Sequence, residues 1–258
     1  MQPPVAAEMN INPRLDGPKV GLIIPSVNTT TEPEFYAMGP STVSWLATRV
    51  FMDQTTPDAL RTMNRDVVNA ARLLATAKLG GLAYACTAGS FVDGDAATRQ
   101  LVGDISQLAS CPAVATALAM IDGLRAVEAR RVALGTPYPE DVTELERDYL
   151  LEAGFDVVSC SCLGRSGAGV RLTTHQEIIA LVERVNRPEA DVVFLSCTDL
   201  RAWEVVPHIE RRIGKPVLSS NSVTMWALLP IIGQTLDPAR CGRLFATWPS
   251  RGASVQAG

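Results

Sequence analysis

The amino-acid sequence predicts an α/β protein made of two similar lobes, each built on a parallel sheet. Short apolar segments alternate with segments whose apolar residues have helical spacing, and this alternation is typical of parallel sheets with crossover helices. The order of segments starts again near the middle of the chain, with similar polar residues at matching places. We therefore expect two lobes related by a pseudo-twofold axis, with a functional site in the cleft between them.

The first half begins with an apolar strand at 19–24, which the polar segment 25–30 follows. The apolar residues of 56–79 have the spacing of one helix face, so a helix is expected there. A second apolar strand at 81–85 leads directly into Cys86. The other elements expected in this half are strands at 43–50 and 112–116 and a helix at 118–129.

The second half repeats this order. A strand at 131–134 is followed by the segment 136–138, and a helix at 141–153 is closed by Gly154, because glycine readily adopts the left-handed conformation that ends helices. A further apolar strand at 191–195 leads toward Cys197. The other elements expected are a strand at 155–159, a helix at 174–186, a strand and turn at 215–221 and a helix at 222–232.

The spacing of two pairs of residues supports duplication of a whole lobe. Pro25 and Cys86 are 61 positions apart in the first half, and Pro137 and Cys197 are 60 positions apart in the second. Each half has a proline after its opening strand and later a strand that ends in Cys-Thr. The domains expected are a flexible N-terminal arm at 1–17, a first lobe at 18–125 and 217–258, and a second lobe at 126–216.

The composition excludes several classes of function. The chain of 258 residues has a net charge of −4, and its basic residues are scattered, so no nucleic-acid partner is expected. No apolar segment approaches the roughly 18 residues that cross a bilayer, so no membrane partner is expected. Six cysteines without a CxxC pair do not form a disulfide scaffold, which predicts a reduced, cytoplasmic protein. We find no set of metal ligands and no nucleotide-binding glycine motif after a strand, so no metal and no cofactor are expected.

Cys86 and Cys197 are the candidate catalytic residues. In open parallel sheets, ligands bind beyond the carboxyl ends of the strands, and both cysteines follow such an end. Lobes that face each other place the two thiols on opposite walls of one cleft, where they can act on both faces of a planar carbon centre. We expect the N-terminus of a helix after the cysteine to stabilise the thiolate, since no histidine is close by in the sequence.

The residues around the cysteines predict a small carboxylate as the substrate. Backbone N–H groups of Thr87, Ala88 and Thr198, with nearby hydroxyl groups, form a cradle for a carboxylate or its enediolate. Asn28 and Tyr138 add an amide and a hydroxyl donor.

The other cysteines and two arginines of the second half have simpler interpretations. A buried cysteine often only fills space. We assign that role to the cysteines without a counterpart in the other half, Cys111, Cys160, Cys162 and Cys241. Arg165 and Arg171 flank a Gly-rich loop, where closure over an anion is an alternative to simple solvation.

Five motifs resemble those of a known family: GLIIPSVN (21–28), AYACTAGS (83–90), TPY (136–138), LSCTDL (195–200) and GKPV (214–217). From about Lys19 to Phe245, the chain resembles the maleate cis-trans isomerase and arylmalonate decarboxylase group of the aspartate/glutamate racemase superfamily. The resemblance implies two Rossmann-like lobes with the active site between them. Proteins of this fold class commonly pair their subunits, so a homodimer or higher homo-oligomer is expected.

The resemblance also implies a reaction. The isomerases keep both cysteines, whereas the decarboxylases have glycine at the first site, so Cys86 together with Cys197 favours an isomerase. Cys86 would add as a thiolate to the double bond of maleate or a related unsaturated dicarboxylate, the resulting single bond would rotate, and Cys197 would shuttle the proton. Asn28 and Tyr138 match positions that hold substrate carboxylates. The alternatives are a two-cysteine racemase of an amino acid or related small carboxylate, an arylmalonate-type decarboxylase and a non-catalytic small-acid binding protein.

One loop departs from the family pattern. The isomerases have a carboxylate-binding asparagine in the loop that corresponds to 164–170. Here that loop is GRSGAGV, and Ala168 stands at the matching place. The departure bears on which acid is the substrate.

Overall fold

A computed structural model describes residues 14–248 of the chain. Most of the arm expected at 1–17 and the last residues of the expected first lobe, 249–258, lie outside the described residues. Residues 14–17 form a turn that precedes the first strand.

The first lobe contains a four-stranded parallel sheet in the order β2-β1-β3-β4. Its central strands, β1 (Lys19–Pro25) and β3 (Gly81–Tyr84), are buried apart from Lys19, because helices cover both faces of a parallel sheet. The other elements are β2 (Ser44–Val50), β4 (Ala113–Ala115), α1 (Thr31–Met38), α2 (Pro57–Asn64), α3 (Val67–Ala75), α4 (Thr87–Phe91), α5 (Gly94–Ala109) and α6 (Thr116–Ala126).

The second lobe has the same arrangement, with the strand order β6-β5-β7-β8. Its strands are β5 (Arg131–Thr136), β6 (Asp156–Cys162), β7 (Val192–Leu195) and β8 (Val217–Ser219). Its helices and those that follow are α7 (Glu140–Glu152), α8 (His175–Val185), α9 (Val206–Ile213), α10 (Ser220–Ile231) and α11 (Pro238–Cys241). Short 3₁₀ helices occupy Gly167–Leu172, Trp203–Val205 and Arg243–Thr247.

The predicted fold class is confirmed. In each sheet the first strand of the lobe lies between the second and the third, and the fourth lies outside the third. An identical order of four strands is what duplication of a lobe produces. The larger apolar cluster contains Leu22 and Leu82 of the first sheet and Leu134 and Phe194 of the second, so the two lobes share a core.

The boundary expected at residue 217 needs correction. β8 pairs with β7 and therefore belongs to the second sheet. The chain passes to the first lobe with the next helix, α10, which packs against α6, where Thr116 Oγ1 and Thr224 Oγ1 are 2.9 Å apart. Sequence spacing did not separate the strand from the helix, because β8 has only three residues and runs directly into α10.

The helix expected over 56–79 is two helices, α2 and α3. A tight turn separates them, in which Asp66 N–H donates to Met63 O at 3.0 Å. Both helices turn apolar residues toward the protein interior, so the apolar spacing continues across the break and hides it. No helix within residues 14–248 combines the length and the apolar character needed to cross a bilayer.

Candidate active site

One cavity lies where the carboxyl ends of the central strands of both sheets meet. Its empty space is about 350 Å³, including the part that opens to solvent, and Cys86 and Cys197 both line it. The other lining residues are Pro25, Val27, Asn28, Met52, Thr55, Leu60, Thr87, Ala88, Tyr138, Gly167, Val170, Thr198 and Asp199. The structure therefore brings together every site residue predicted from the sequence, while the roles of these residues remain predictions.

Cys86 connects β3 to α4. Its sulfur accepts a hydrogen bond from Gly89 N at 3.3 Å and so caps the helix. The residue is only 5% exposed, and burial raises the pKa of its thiol to about 11, which outweighs the N–H donor. Burial of the sulfur therefore opposes the thiolate that the N-terminus of the one-turn helix α4 was expected to stabilise.

A group of residues behind Cys86 was not predicted from the sequence. The Tyr84 hydroxyl donates to Asn64 Oδ1 at 2.5 Å, and Asn64 Nδ2 donates to Gly89 O at 2.8 Å. A Cβ atom on Gly89 would lie 2.1 Å from Tyr84 Oη and 3.1 Å from Cys86 Sγ. This group holds the sulfur in place. The signal available in the sequence was the glycine three positions after the cysteine, since glycine is unfavourable within a helix.

Cys197 lies in a turn after β7, and not at a helix N-terminus as expected. Its φ of 85° is in the left-handed region that few non-glycine residues adopt. Asp199 N–H donates to the Cys197 sulfur at 3.4 Å, and Leu200 N–H donates to Cys197 O at 3.2 Å. Burial raises the pKa of the Cys197 thiol well above its ordinary value. The turn thus presents a neutral thiol to the cavity on a strained backbone, a feature common at functional sites.

Tyr138 lies beside the Cys197 thiol. Ser196 Oγ donates to Tyr138 Oη at 3.4 Å, which leaves the phenol proton available to Cys197 or to a substrate. Ser196 also faces Glu146 of α7, a fully buried residue whose two carboxyl oxygens have no partner with normal hydrogen-bond geometry within residues 14–248. Burial raises the pKa of Glu146 to about 8. Sequence reasoning missed Glu146 because glutamate in a charged helix ordinarily faces solvent.

Asn28 joins the two lobes. Its Oδ1 accepts from Thr30 N at 3.0 Å and Thr31 N at 2.9 Å. Its Nδ2 donates to Thr31 Oγ1 at 2.9 Å and to Thr198 Oγ1 at 3.0 Å, and the Thr198 hydroxyl donates to Ala85 O at 3.1 Å. The amide is therefore fully hydrogen-bonded within the protein. For Asn28 to bind a substrate carboxylate, Nδ2 must give up one of these two bonds and donate to the substrate instead.

Backbone N–H groups remain as donors for an anion. The Thr87 hydroxyl is already bonded to Ser220 Oγ at 2.8 Å. The N–H groups of Thr87 and Ala88 lie in the first turn of α4, where helix geometry leaves them without an intrahelical acceptor. Thr198 N–H also has no acceptor in the part of the chain that the structure describes. These three N–H groups and the Tyr138 hydroxyl are donors that the cavity offers to an anion.

A loop of the second lobe closes one side of the cavity. Thr55 N–H donates to Ser166 Oγ at 2.6 Å, and Gly167 N–H donates to Thr55 Oγ1 at 3.3 Å. Gly167 has a φ of 52°, and a Cβ atom on it would lie 2.2 Å from Asp53 O, so glycine is required here. Ala168 is exposed and does not line the cavity, so no side chain at this position provides a carboxylate ligand.

The remaining candidates lie away from the cavity. Arg165 is bonded to Thr173 and Glu177, and Arg171 is exposed at the edge of a neighbouring pocket. The cysteines interpreted as structural line no part of the cavity: Cys111, Cys160, Cys162 and Cys241. Within residues 14–248, no group of three His, Cys, Asp or Glu side chains is placed to hold a metal ion.

The chain is similar in sequence to two kinds of enzyme. It is 28% identical over 221 residues to arylmalonate decarboxylase from Bordetella bronchiseptica, a match that covers 84% of this chain and 91% of that protein. It is 29% identical over 225 residues to maleate isomerase from Pseudomonas putida, a match that covers 82% of this chain and 90% of that protein.

The structure is similar to that of a Nocardia farcinica maleate cis-trans isomerase, a cysteine-to-serine mutant with a covalently bound succinylcysteine intermediate. The TM-score is 0.84 at 25% sequence identity, over 88% of this chain and 98% of that chain. The family profile described as arylmalonate decarboxylase matches residues 20–245. These findings confirm the resemblance that the five motifs indicated, and the chain belongs to the arylmalonate decarboxylase family.

Proposed function

We propose that the protein is a cofactor-independent isomerase that converts maleate, or a related cis-unsaturated acid, into the trans isomer. The observation that supports this most strongly is the presence of two thiols, Cys86 and Cys197, in one cavity at matched strand ends. The succinylcysteine intermediate named for the Nocardia farcinica relative adds support for a cysteine adduct.

The proposed reaction starts when the Cys86 thiol loses its proton to solvent. The thiolate forms a C–S bond to one alkene carbon, and the other carbon takes the proton of the Cys197 thiol. The former double bond is now single and rotates. Cys197, now a thiolate, takes the proton back, the double bond reforms in the trans geometry and the C–S bond breaks.

The donors of the cavity stabilise the negative charge in this scheme. When the thiolate adds to one alkene carbon, charge moves onto the carboxylate attached to the other carbon, which becomes an enediolate until the proton arrives. We assign the N–H groups of Thr87 and Ala88 to the carboxylate on the Cys86 side of the cavity, and the Thr198 N–H and the Tyr138 hydroxyl to the carboxylate on the Cys197 side. Preorganised donors in a buried site typically contribute about 3–4 kcal/mol each to transition-state stabilisation.

The test is incubation of the purified protein with maleate, with loss of ultraviolet absorbance and fumarate formation as the readouts. We expect turnover, and we expect Cys86→Ala and Cys197→Ala each to lower kcat/KM by at least about 10³-fold, as for a nucleophile and a proton-transfer group. Cys162→Ala, which removes a half-buried thiol outside the cavity, is the matched control.

Mass spectrometry separates the roles of the two thiols. In Cys197→Ser, solvent supplies the proton that completes the addition and no thiolate is present at this position to remove it again, so an adduct of maleate on Cys86 should accumulate in this variant. An adduct on Cys197 in the wild-type chain, and none on Cys86, would reverse the assignment. Absence of both fumarate and an adduct at high enzyme concentration contradicts the proposal.

Racemisation by two thiols is the second candidate function. It is favoured by Asp199, whose carboxyl group lines the cavity and suits a substrate with an amino group. In a racemase, one thiol removes the α-proton while the other delivers a proton to the opposite face. Deuterium from solvent would then enter the α-carbon of recovered substrate, and its absence with a panel of amino acids eliminates this reaction.

A further inference from the structure

One carboxyl oxygen of Asp199, Oδ2, is buried without a hydrogen-bond donor among the described residues. The residue follows Cys197 and Thr198 in the turn after β7 and is 5% exposed. Its Oδ1 accepts from Thr29 N at 2.9 Å and from Thr30 N at 3.1 Å, so the carboxyl group is held across the two lobes. Its Oδ2 is buried and accepts no hydrogen bond from any residue within 14–248.

The bonds to Oδ1 do not explain why this residue is an aspartate. An asparagine offers the same acceptor to the two N–H groups and caps a turn equally well. A buried carboxyl oxygen without a donor is unfavourable, because it loses its hydrogen bonds to water. Asp199 lines the same cavity as Cys197, so a substrate bound there is a candidate source of a donor for Oδ2.

The charges around the cavity also favour a substrate with a hydrogen-bond donor near Asp199. Asp199 is the only Asp or Glu among the fifteen lining residues, and those residues include no Lys, Arg or His. Arg171 is the cation that acts on Asp199, and it lies in the neighbouring outer pocket together with Glu34, Arg201 and Glu204. A dicarboxylate would place two further negative charges beside Asp199 without a cation in the cavity to balance them.

We infer that Asp199 recognises a hydrogen-bond donor on the substrate, so that the substrate carries one carboxylate and, at its other end, an amide, amino or hydroxyl group. The inference rests on the proposed function where it is tested by rates of isomerisation. The single carboxylate lies in the half of the cavity that contains Cys86. The donor end lies at Asp199, in the half of the cavity that contains Cys197.

The test compares maleate with maleamate, in which an amide NH₂ replaces one carboxylate oxygen at nearly the same size. We expect the wild-type protein to isomerise maleamate with a kcat/KM at least about tenfold above that for maleate. Asp199→Asn keeps an Oδ1 acceptor for Thr29 and Thr30 and replaces Oδ2 by a donor. This variant should reverse the preference, with a gain on maleate and a loss on maleamate.

Binding of unreactive acids tests the same inference without catalysis. We expect calorimetry with Cys86→Ala protein to show succinamate binding at least about tenfold more tightly than succinate, and Asp199→Asn to abolish that ratio. If neither unsaturated acid is isomerised but succinamate is preferred, the isomerase proposal fails and the inference about Asp199 stands. Equal binding of the two probes, or binding of neither, overturns the inference.

Protonation of Asp199 is the other way in which Oδ2 could form a hydrogen bond with a substrate. Burial raises the pKa of this carboxyl group, so a neutral Asp199 would itself donate to a second carboxylate. In that case maleate would be preferred over maleamate, with a kcat/KM that falls as the pH rises. This result also overturns the inference.

Discussion

At the scale of single residues, burial determines the protonation of the site. It raises the pKa values of Cys86, Cys197 and Glu146, and no cation lines the cavity among the described residues. Burial therefore favours the neutral form of both thiols. The proposed addition requires one thiolate and one thiol, so a single deprotonation, at Cys86, prepares the pair.

Glu146 should make the stability of the fold depend on pH. Its pKa is 4.5 as an ordinary side chain and about 8 in the folded protein. Between these values the unfolded chain binds fewer protons than the folded one, so the free energy of unfolding falls as the pH rises. Relative to Glu146→Gln, which does not titrate, the wild-type protein should lose roughly 3–5 kcal/mol between about pH 5 and about pH 8.5.

Urea unfolding at the two pH values measures this difference. Glu152→Gln is the matched control, because it changes an exposed glutamate in the same helix and should leave the pH dependence of the wild type unchanged. Parallel pH dependence in Glu146→Gln and the wild type would contradict the prediction.

At the scale of elements, the single turn α4 determines where the nucleophile lies. The cysteine caps the helix, and Gly89 is packed against the sulfur and the Tyr84 hydroxyl. A one-turn helix contributes little stability by itself. Its position depends on the side chains behind it, namely Tyr84 and Asn64.

Gly89→Ala should destabilise the protein by about 1–3 kcal/mol, because the added methyl group overlaps the Tyr84 hydroxyl. It should also lower kcat/KM, since the sulfur must move. Gly103→Ala provides the control: Gly103 lies in α5 with nothing within 4 Å of an added Cβ atom, and alanine there should stabilise by roughly 0.5–1 kcal/mol.

Chemical denaturation and steady-state kinetics check both variants. Adding Tyr84→Phe to Gly89→Ala removes the overlapping oxygen and should recover part of the lost stability. A double variant less stable than Gly89→Ala by the full effect of Tyr84→Phe alone would show that the overlap is not the cause.

At the scale of the whole molecule, the polar contacts between the lobes also form the wall of the cavity. Asn28 bonds to Thr198, and Asp199 bonds to the backbone of Thr29 and Thr30. The Asn221 side chain extends this network from Thr198 O to the Glu34 carboxyl group. Stability of the lobe contact and geometry of the site therefore depend on the same bonds.

Asn28→Ala should lower the free energy of unfolding by about 2–4 kcal/mol. The change removes four hydrogen bonds, leaves the buried N–H group of Thr31 without its acceptor and leaves that of Thr30 with Asp199 Oδ1 alone. Asn186→Ala, which removes one bond to Lys215 at a half-buried position, should cost less than about 1 kcal/mol. Guanidinium unfolding followed by tryptophan fluorescence compares the two, and equal losses would contradict the role given to Asn28.

Much of the fold followed from local patterns. The strands β1, β3, β5 and β7 were predicted because continuous apolar runs mark strands that are buried on both faces. The duplication followed from the spacing of two prolines and two cysteines. The elements that were missed or displaced, such as the boundary at β8 and the break between α2 and α3, are places where short elements run together without a change in apolar spacing.

The sequence by itself indicated the two-lobe α/β fold and, for lobes that face each other, the meeting of Cys86 with Cys197, because each cysteine follows the carboxyl end of a parallel strand in its own sheet. Only the tertiary structure decided which groups are charged and which are free. The partners of Asn28 and Asp199 lie up to 170 positions away in the chain, and Glu146 is buried by residues outside its own helix. Burial and hydrogen bonding between distant residues set these properties, and no local pattern records them.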